Sequence, residues 1–286
     1  MKPPQFEYHA PASVGEAVAL LQRYGGEARV LAGGQSLVPM MNFRIAAPAA
    51  LIDLNRIAAL AFIAEDGETV RIGAMTRQRA AEFAPLVADR LPLLREGLGW
   101  VAHLPIRSRG TIGGSIAHAD PAAELPMLLQ ALDGSVVAQG PQGERHIAAG
   151  DLFVAPLETS LAADEIVTEV RFAAMPPGAS YAVEEFARRK GDFAIAAIAA
   201  LVVRDGERCT RARLATAGVG PVSVRLRAAE AVIEQQGLGD AAIAAAAAKA
   251  AELVEPMTDL HGSADYRRHL TGVLTRRALT RARGDA

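Results

Sequence analysis

The sequence predicts an α+β protein with more than one domain, and three observations support that prediction. At 286 residues the chain is longer than one simple domain usually is. Its first fifty or so residues, roughly, follow the order strand, glycine turn, short helix, strand. The sequence Met-Pro-Pro-Gly at residues 175–178 then indicates a boundary, because proline and glycine end regular structure.

The first predicted element is a helix over residues 13–24. Ser13 stands three residues before Glu16, which is the spacing of a capping box, and apolar residues recur behind it at helical intervals. Two short apolar strands are predicted at residues 28–31 and 50–54. The glycine turn and a short helix lie between them.

Strands and helices are both predicted between residues 60 and 174. Residues 69–73 alternate between apolar and polar side chains, as a half-buried strand does. A helix over residues 77–87 ends before Pro92, and the glycine-containing stretch at residues 107–124 is predicted as a loop. Further helices are predicted over residues 93–101 and 125–131, and further strands over residues 135–138 and 164–172.

In the last third of the chain, strands precede helices. Asp205-Gly206 has the composition of a hairpin turn between two apolar strands. Those strands are predicted at residues 193–203 and 209–217, after an earlier one at residues 181–189. Three helices follow over residues 225–236, 240–254 and 264–283, and the alanine-rich second one has high helix propensity.

Composition excludes several classes of protein. The net charge of −2 and the isoelectric point of about 6.3 argue against a nucleic-acid-binding domain, which is normally basic. Cys209 is the single cysteine, so this chain cannot hold an iron–sulfur cluster or a structural zinc ion. No signal peptide is evident, and the apolar run of 11 residues from 193 to 203 is too short to span a bilayer. We therefore expect a soluble cytoplasmic protein without a transmembrane segment.

Two glycine clusters of similar build are separated by about eighty residues. The first is Ala-Gly-Gly-Gln-Ser at residues 32–36, and the second is Thr-Ile-Gly-Gly-Ser at residues 111–115. Glycine turns expose consecutive main-chain N–H groups to an anion, and hydroxyl side chains add further donors. Neither cluster matches the dinucleotide or P-loop fingerprint. Either alone fits an ordinary tight turn, whereas the two together suit a ligand with two adjacent phosphates.

Several longer segments resemble a known family. They are AGGQSLVPMMNFR with LIDLNRI, then IRSRGTIGGSIAHADPAAELP, FARRKGDFA and the C-terminal SADYRRHLTGVLTRRAL. These resemble the FAD-binding medium subunit of molybdenum hydroxylases, a family that includes the carbon monoxide dehydrogenase medium subunit and the xanthine dehydrogenase flavin domain. The resemblance runs through essentially the whole chain.

The resemblance implies a fold and its domain limits. Residues 1–174 would form the two-subdomain FAD-binding fold of vanillyl-alcohol oxidase-like flavoproteins, with subdomains at about 1–57 and 58–174. Residues 175–286 would form a smaller C-terminal α/β domain that closes over the flavin.

The resemblance also implies which residues bind FAD. The two glycine clusters would wrap the diphosphate, and the remaining positions would contact the ADP half, the sugar hydroxyls, the adenine end or the flavin ring. Glu124 is the main carboxylate candidate and Asp120 the second. The predicted cofactor-binding residues are Arg29, Ala32, Gly33, Gly34, Gln35, Ser36, Leu37, Val101, Ala102, Thr111, Gly113, Gly114, Ser115, Asp120, Glu124, Val167, Lys190 and Phe193.

Two departures from the family pattern stand near the flavin. Where relatives can carry a lysine before the RRKGD segment, this chain has Glu184 and Glu185, which weakens any role for a cation there. Phe193 stands where relatives can carry a tyrosine, so a hydroxyl-dependent role is lost while stacking is retained.

The implied function is electron transfer. FAD would take electrons from iron–sulfur clusters of a small two-cluster partner and deliver them to an external acceptor. Substrate would be hydroxylated at the molybdenum cofactor of a large partner, and the complex would be a dimer of heterotrimers. We expect no catalytic residue or metal ligand in this chain. Two alternatives are a free-standing FAD-dependent reductase or oxidase of the same fold, and a nucleotide-binding assembly subunit without turnover.

Overall fold

A computed structural model describes residues 2–206 and 208–284 and contains sheets of three, five and four strands, a two-stranded ribbon, and helices. The first 60 residues form a small parallel sheet in the order β1-β3-β2, with Glu7 opposite Ala50. Ser13 caps the first helix by accepting a hydrogen bond from Glu16 N, as the capping-box spacing predicts. The elements are β1 (Glu7–His9), α1 (Val14–Tyr24), β2 (Ala28–Leu31), α2 (Leu37–Asn42) and β3 (Ala50–Asp53).

The middle of the chain forms an antiparallel five-stranded sheet in the order β4-β5-β10-β6-β7, and a run of short helices is inserted along the chain between β5 and β6. The elements are β4 (Ile63–Asp66), β5 (Thr69–Gly73), α3 (Gln78–Phe83), α4 (Pro85–Arg90), α5 (Pro92–Leu98), α6 (Leu104–Arg109), α7 (Ile112–His118), α8 (Glu124–Ala131), β6 (Ser135–Gly140), β7 (Gly143–Ala148), α9 (Ala149–Leu152), β8 (Phe153–Ala155), β9 (Glu158–Thr159) and β10 (Ile166–Ala173).

The last third is an antiparallel sheet in the order β11-β12-β13-β14, followed by three helices. The elements are β11 (Ser180–Phe186), β12 (Ala196–Asp205), β13 (Arg208–Ala217), β14 (Val224–Arg225), α10 (Arg227–Gln236), α11 (Asp240–Leu253) and α12 (Ala264–Arg283). The predicted hairpin is present, since Asp205 pairs with Arg208 across Gly206, whose φ is +59°.

Strand β12 is apolar from Ala196 to Val203, and both of its faces are buried from Ala196 to Val202. Successive side chains of a strand point to opposite faces. Ala197 and Leu201 join the core of the middle region, whereas Ile198 and Val202 pack in the core beneath the C-terminal helices. The last sheet is therefore held between the middle region and helices α10 to α12.

A second link joins the C-terminal helix to the middle of the chain. Arg281 of α12 donates hydrogen bonds to the carboxylates of Glu96 on α5 and Glu184 on β11. The Glu96 carboxylate also accepts from the Val183 amide at 2.8 Å. The Glu96 carboxylate on α5 thus accepts hydrogen bonds from both β11 and α12.

Two predictions of local structure were wrong. The helix predicted over residues 77–87 is divided into α3 and α4, because Ala84, which precedes Pro85, is extended with ψ of 128°. The loop predicted over residues 107–124 contains the end of α6 and all of α7. Helix α7 begins because Thr111 caps it, accepting a hydrogen bond from Gly114 N.

Candidate functional site

A cavity of about 1280 Å³ lies where the first sheet, helix α7 and the loop between β11 and β12 meet. That volume exceeds the usual range for ligand sites and suits a dinucleotide better than a small metabolite. Its wall has an apolar part and a part with hydroxyl and carboxyl groups. Most of the residues predicted to bind cofactor line it, namely Arg29, Ala32, Gly33, Gly34, Gln35, Ser36, Leu37, Val101, Ala102, Thr111, Gly114, Ser115, Asp120, Glu124 and Phe193.

Strand β2 leads directly into the first glycine cluster. Gly34 has a φ of +73°, a conformation that favours glycine, and Ser36 caps α2 without using its side chain. Among the described residues, no acceptor is bonded to the amides from Gly33 to Leu37. This turn therefore lines the cavity with unpaired N–H groups and a free hydroxyl, which is a suitable arrangement for binding an anion.

The two glycine clusters lie against each other. A methyl group at Gly33 would fall 2.5 Å from the carbonyl oxygen of Arg109, and one at Gly114 would fall 3.2 Å from Ala32 Cβ. A contact of 2.5 Å is closer than real side chains come and one of 3.2 Å is tight, so both glycines allow close contact between the segments. A ligand in the cavity can consequently touch both clusters at once.

The second cluster differs from the expected turn. Gly113 and Gly114 are in the first turn of α7, and their amides already donate to Ala74 O and Thr111 Oγ1. The amide of Ser115 donates to Thr111 O at 3.2 Å. The cluster thus offers the ligand the side chain of Ser115 and the start of a short helix, rather than a row of free amides.

Three residues of the predicted set do not line the cavity. Gly113 packs against Ala74, and Val167 is buried in β10 opposite Ala138. Lys190 places its Nζ 5.7 Å from the centre of the Trp100 ring, a cation–π contact at the edge of the site.

Carboxyl groups lie at one side of the cavity. Glu124 begins α8 and is 6% exposed, and burial raises its pKa to about 7. Burial, together with repulsion from Glu124, raises the pKa of Glu185 on β11 to about 8. Both Glu185 oxygens are buried and have no hydrogen-bond partner among the described residues. Burial also lowers the pKa of His118, which is therefore neutral at pH 7.

Asp120 is the more accessible of the two carboxylate candidates. It is half-buried, and its Oδ1 accepts a hydrogen bond from Ala122 N at 2.9 Å. Asp120 and Glu124 both line the cavity.

Sequence reasoning missed several lining residues. Gln78 of α3 is 4% exposed, and its side-chain oxygen lacks a partner within residues 2–206 and 208–284. The segment from Leu157 to Ala163 forms another part of the wall, and Leu157 has a φ of +61°. Gly191 has a φ of +88° and packs on the His103 ring. Of these residues, only Gly191 could have been predicted from the sequence, because it is a glycine within the RRKGD segment.

Two family models together cover nearly all of the chain. Residues 4–174 match the FAD binding domain in molybdopterin dehydrogenase, and residues 181–282 match the CO dehydrogenase flavoprotein C-terminal domain. The chain belongs to the FAD-binding medium subunits of the molybdenum hydroxylase family. The family prediction and the two-domain FAD-binding fold are thereby confirmed, as is FAD as the cofactor.

Relatives of this medium subunit match it over almost its full length. It is 43% identical to the 6-hydroxypseudooxynicotine dehydrogenase complex subunit alpha of Paenarthrobacter nicotinovorans, covering 99% of this chain and 96% of that one. It is 42% identical to the carbon monoxide dehydrogenase medium chain of Hydrogenophaga pseudoflava, covering 99% and 98%. A solved carbon monoxide dehydrogenase from Hydrogenophaga pseudoflava superposes with a TM-score of 0.98 at 43% identity, covering 99% of both chains. These are oxidoreductase subunits, and so is this chain.

The site of this medium subunit fits FAD on its own geometry. The unpaired amides of the first turn suit the diphosphate, and the orphaned oxygen of Gln78 and the buried carboxyl of Glu124 suit hydroxyl or N–H donors. Val101, Ala102 and Phe193 supply apolar surface. Within the described ranges, no helix is long and apolar enough to cross a membrane, and no group of acidic, histidine or cysteine residues could hold a metal ion.

Proposed function

We propose that this medium subunit transfers electrons through FAD, from iron–sulfur clusters of a small partner chain to an external acceptor. The observation that carries the proposal is the large cavity with the unpaired amides of residues 33–37 at its wall. FAD supplies two-electron chemistry and can exchange its electrons singly, which suits a link between clusters and an external acceptor such as a quinone, a dinucleotide, a cytochrome or oxygen. The single cysteine, Cys209, is buried, so the clusters belong to another chain.

The chain's own residues would bind and orient FAD. The amides of Gly33 to Leu37 and the hydroxyls of Ser36 and Ser115 would hold the diphosphate. Arg29 would approach the ADP half, although its guanidinium now donates to the carbonyls of Gly26 and Ala28. Glu124, with Asp120 as the second candidate, would accept hydrogen bonds from sugar hydroxyls.

Other residues would place the flavin ring. Val101, Ala102 and Phe193 would pack against it and exclude water. Three further residues would support the bound FAD from outside the cavity lining, namely Gly113, Val167 and Lys190. Phe193 is 64% exposed, so its ring is free to pack against the flavin.

The proposed partners are a large molybdopterin-binding subunit and a small two-cluster iron–sulfur subunit, assembled as a dimer of heterotrimers. The relatives are medium chains or subunits of complexes. Their names refer to different substrates, so substrate choice is assigned to the large partner and not to this chain. We also propose a domain boundary at residues 174–175.

The placement of the diphosphate is tested by Gly34→Val combined with Gly114→Val. We expect colourless protein, because Gly34 has a φ of +73° that valine rarely adopts, and a side chain at Gly114 would meet Thr111 Oγ1 at 2.6 Å. Gly15→Val combined with Gly150→Val is the matched control, since nothing lies within 4 Å of either glycine, and it should keep its yellow colour. Stoichiometric FAD in the first variant would contradict the proposal.

Electron routing is tested separately. Chemically reduced small subunit, purified with this chain, should bleach the flavin absorption under anaerobic conditions. Bleaching by an organic substrate in the absence of both partner chains would instead establish the free-standing reductase. A yellow protein that neither route reduces would contradict both functions.

A further inference from the structure

Arg77 connects the second glycine cluster to a residue outside the cavity. It precedes α3, and its Nη1 donates a hydrogen bond to the carbonyl of Arg109. That carbonyl is the atom against which Gly33 packs. The other guanidinium nitrogen, Nη2, donates to Asn55 Oδ1 at 2.6 Å. The planar guanidinium thus uses two of its donors in fixed directions.

Asn55 connects the same guanidinium to the first glycine cluster. Its Nδ2 donates to the carbonyl of Ala32 at 3.0 Å. Asp53 fixes the asparagine, because Asp53 Oδ1 accepts from Asn55 N at 2.8 Å and from Nδ2. Tyr8 in turn donates its hydroxyl to Asp53 Oδ2 at 2.5 Å. The asparagine therefore has little freedom to rotate.

We propose that Asn55 and Arg77 are positioning residues for FAD, forming a bridge that sets the spacing between the two diphosphate-binding segments. Neither residue lines the cofactor cavity. Both line a smaller cavity of about 330 Å³, so they act from behind the wall. This inference rests on the proposed placement of the diphosphate and adds to it the residues that hold the two segments in register.

Backbone hydrogen bonds attach the second segment to the residues around the start of α3, whereas within the described ranges the first segment has no such bond to those residues. Gln78 N donates to Gly110 O, Ile112 N to Thr76 O, and Gly113 N to Ala74 O. These bonds secure the second cluster to the chain before α3. The first cluster approaches it through the contact at Gly33, and the Asn55–Arg77 bridge supplies the polar connection between the Ala32 and Arg109 carbonyls.

The direct test measures the FAD dissociation constant of the full chain by quenching of flavin fluorescence. Asn55→Ala and Arg77→Gln should each weaken binding by about tenfold, the effect of one lost hydrogen bond near the ligand. The double variant should be no weaker than the worse single one, because both changes break the same bridge. ADP, which carries the same diphosphate, should lose affinity by the same factor as FAD.

Two variants separate the bridge from a simple effect of charge. Arg77→Lys keeps the charge but not the planar pair of donors, so it should behave like Arg77→Gln. Arg79→Gln removes a charge two residues away on an exposed side chain and should leave FAD binding unchanged. Wild-type affinity in Arg77→Lys would overturn the bridge in favour of charge attraction.

Urea unfolding of the cofactor-free variants gives the second readout. A residue that only stabilises the fold would lower the unfolding midpoint and leave the affinity of the folded protein for ADP unchanged, and that result would overturn the inference. If wild-type chain binds FAD but neither variant differs from it, the bridge is refuted while the FAD site stands. If wild-type chain binds no FAD, the proposed function itself fails.

Discussion

Glu185 makes the stability of this protein depend on pH in a way that one substitution should remove. Both of its oxygens are buried without a hydrogen-bond partner, and burial, followed by repulsion from Glu124, raises its pKa from 4.5 to about 8. Between those values the folded state keeps a proton that the unfolded state releases. The contribution of Glu185 to stability is therefore fully present below pH 4.5 and is lost as pH rises toward 8.

The size of the effect follows from the shift in pKa. Each pKa unit corresponds to about 1.4 kcal/mol, so ionisable Glu185 costs about 3 kcal/mol at pH 7 and up to about 5 kcal/mol at pH 8.5. Glu185→Gln keeps the size of the side chain and removes its charge. We expect it to stabilise the chain by about those amounts, and by less than about 1 kcal/mol at pH 5.

Urea unfolding of the cofactor-free chain measures the difference in stability between wild type and Glu185→Gln. The unfolding is done at about pH 5, 7 and 8.5, because these values span the range between the two pKa values of Glu185. Glu184→Gln is the matched control, because it changes the neighbouring carboxylate, which is paired with Arg281 at 2.9 Å. The control should give no stabilisation at any pH. A Glu185→Gln effect that is the same at all three pH values, or a destabilisation at pH 8.5, would refute the reasoning.

Two further predictions concern close backbone contacts and a buried guanidinium. Gly33→Ala should destabilise the chain by about 1–3 kcal/mol and weaken FAD binding, because its methyl group would meet Arg109 O at 2.5 Å; Gly15→Ala, in open space, should be neutral or slightly stabilising. Arg267→Met should cost about 3 kcal/mol in urea unfolding, since buried Arg267 donates to the carbonyls of Ile195 and Gly218 and to Asp259. Unchanged unfolding of either Gly33→Ala or Arg267→Met would contradict the geometry.

Much of the local fold is legible in the sequence because it depends on short-range chemistry. The Ser13 cap, the Asp205-Gly206 hairpin and helix α12 follow from patterns within a few residues. Strand β7 left no such signal: it lies at a sheet edge, and nearly all of its side chains are exposed. Without a buried face, it has no apolar alternation to detect.

The candidate site was predictable only in part for a related reason. The glycines at residues 33 and 34 indicate a close backbone contact, but the sequence does not identify the group that the backbone contacts. Glycines 113 and 114 gave the same signal although they are helical, because they pack closely against Ala74 and Ala32. Gln78 has the sequence pattern of any polar residue at a helix start. Its side-chain oxygen becomes buried without a hydrogen-bond partner only when the chain folds.

The link between Arg281 and Glu96 has a consequence for how the protein is made. The two residues are 185 positions apart, so at about 5–20 residues per second the ribosome adds Arg281 roughly 10–40 s after Glu96. During that interval the Glu96 carboxylate lacks the hydrogen bond from the Arg281 guanidinium. The junction between α5 and β11 is thus completed late in translation, and a nascent chain stalled before α12 would leave the carboxylates of Glu96 and Glu184 without Arg281.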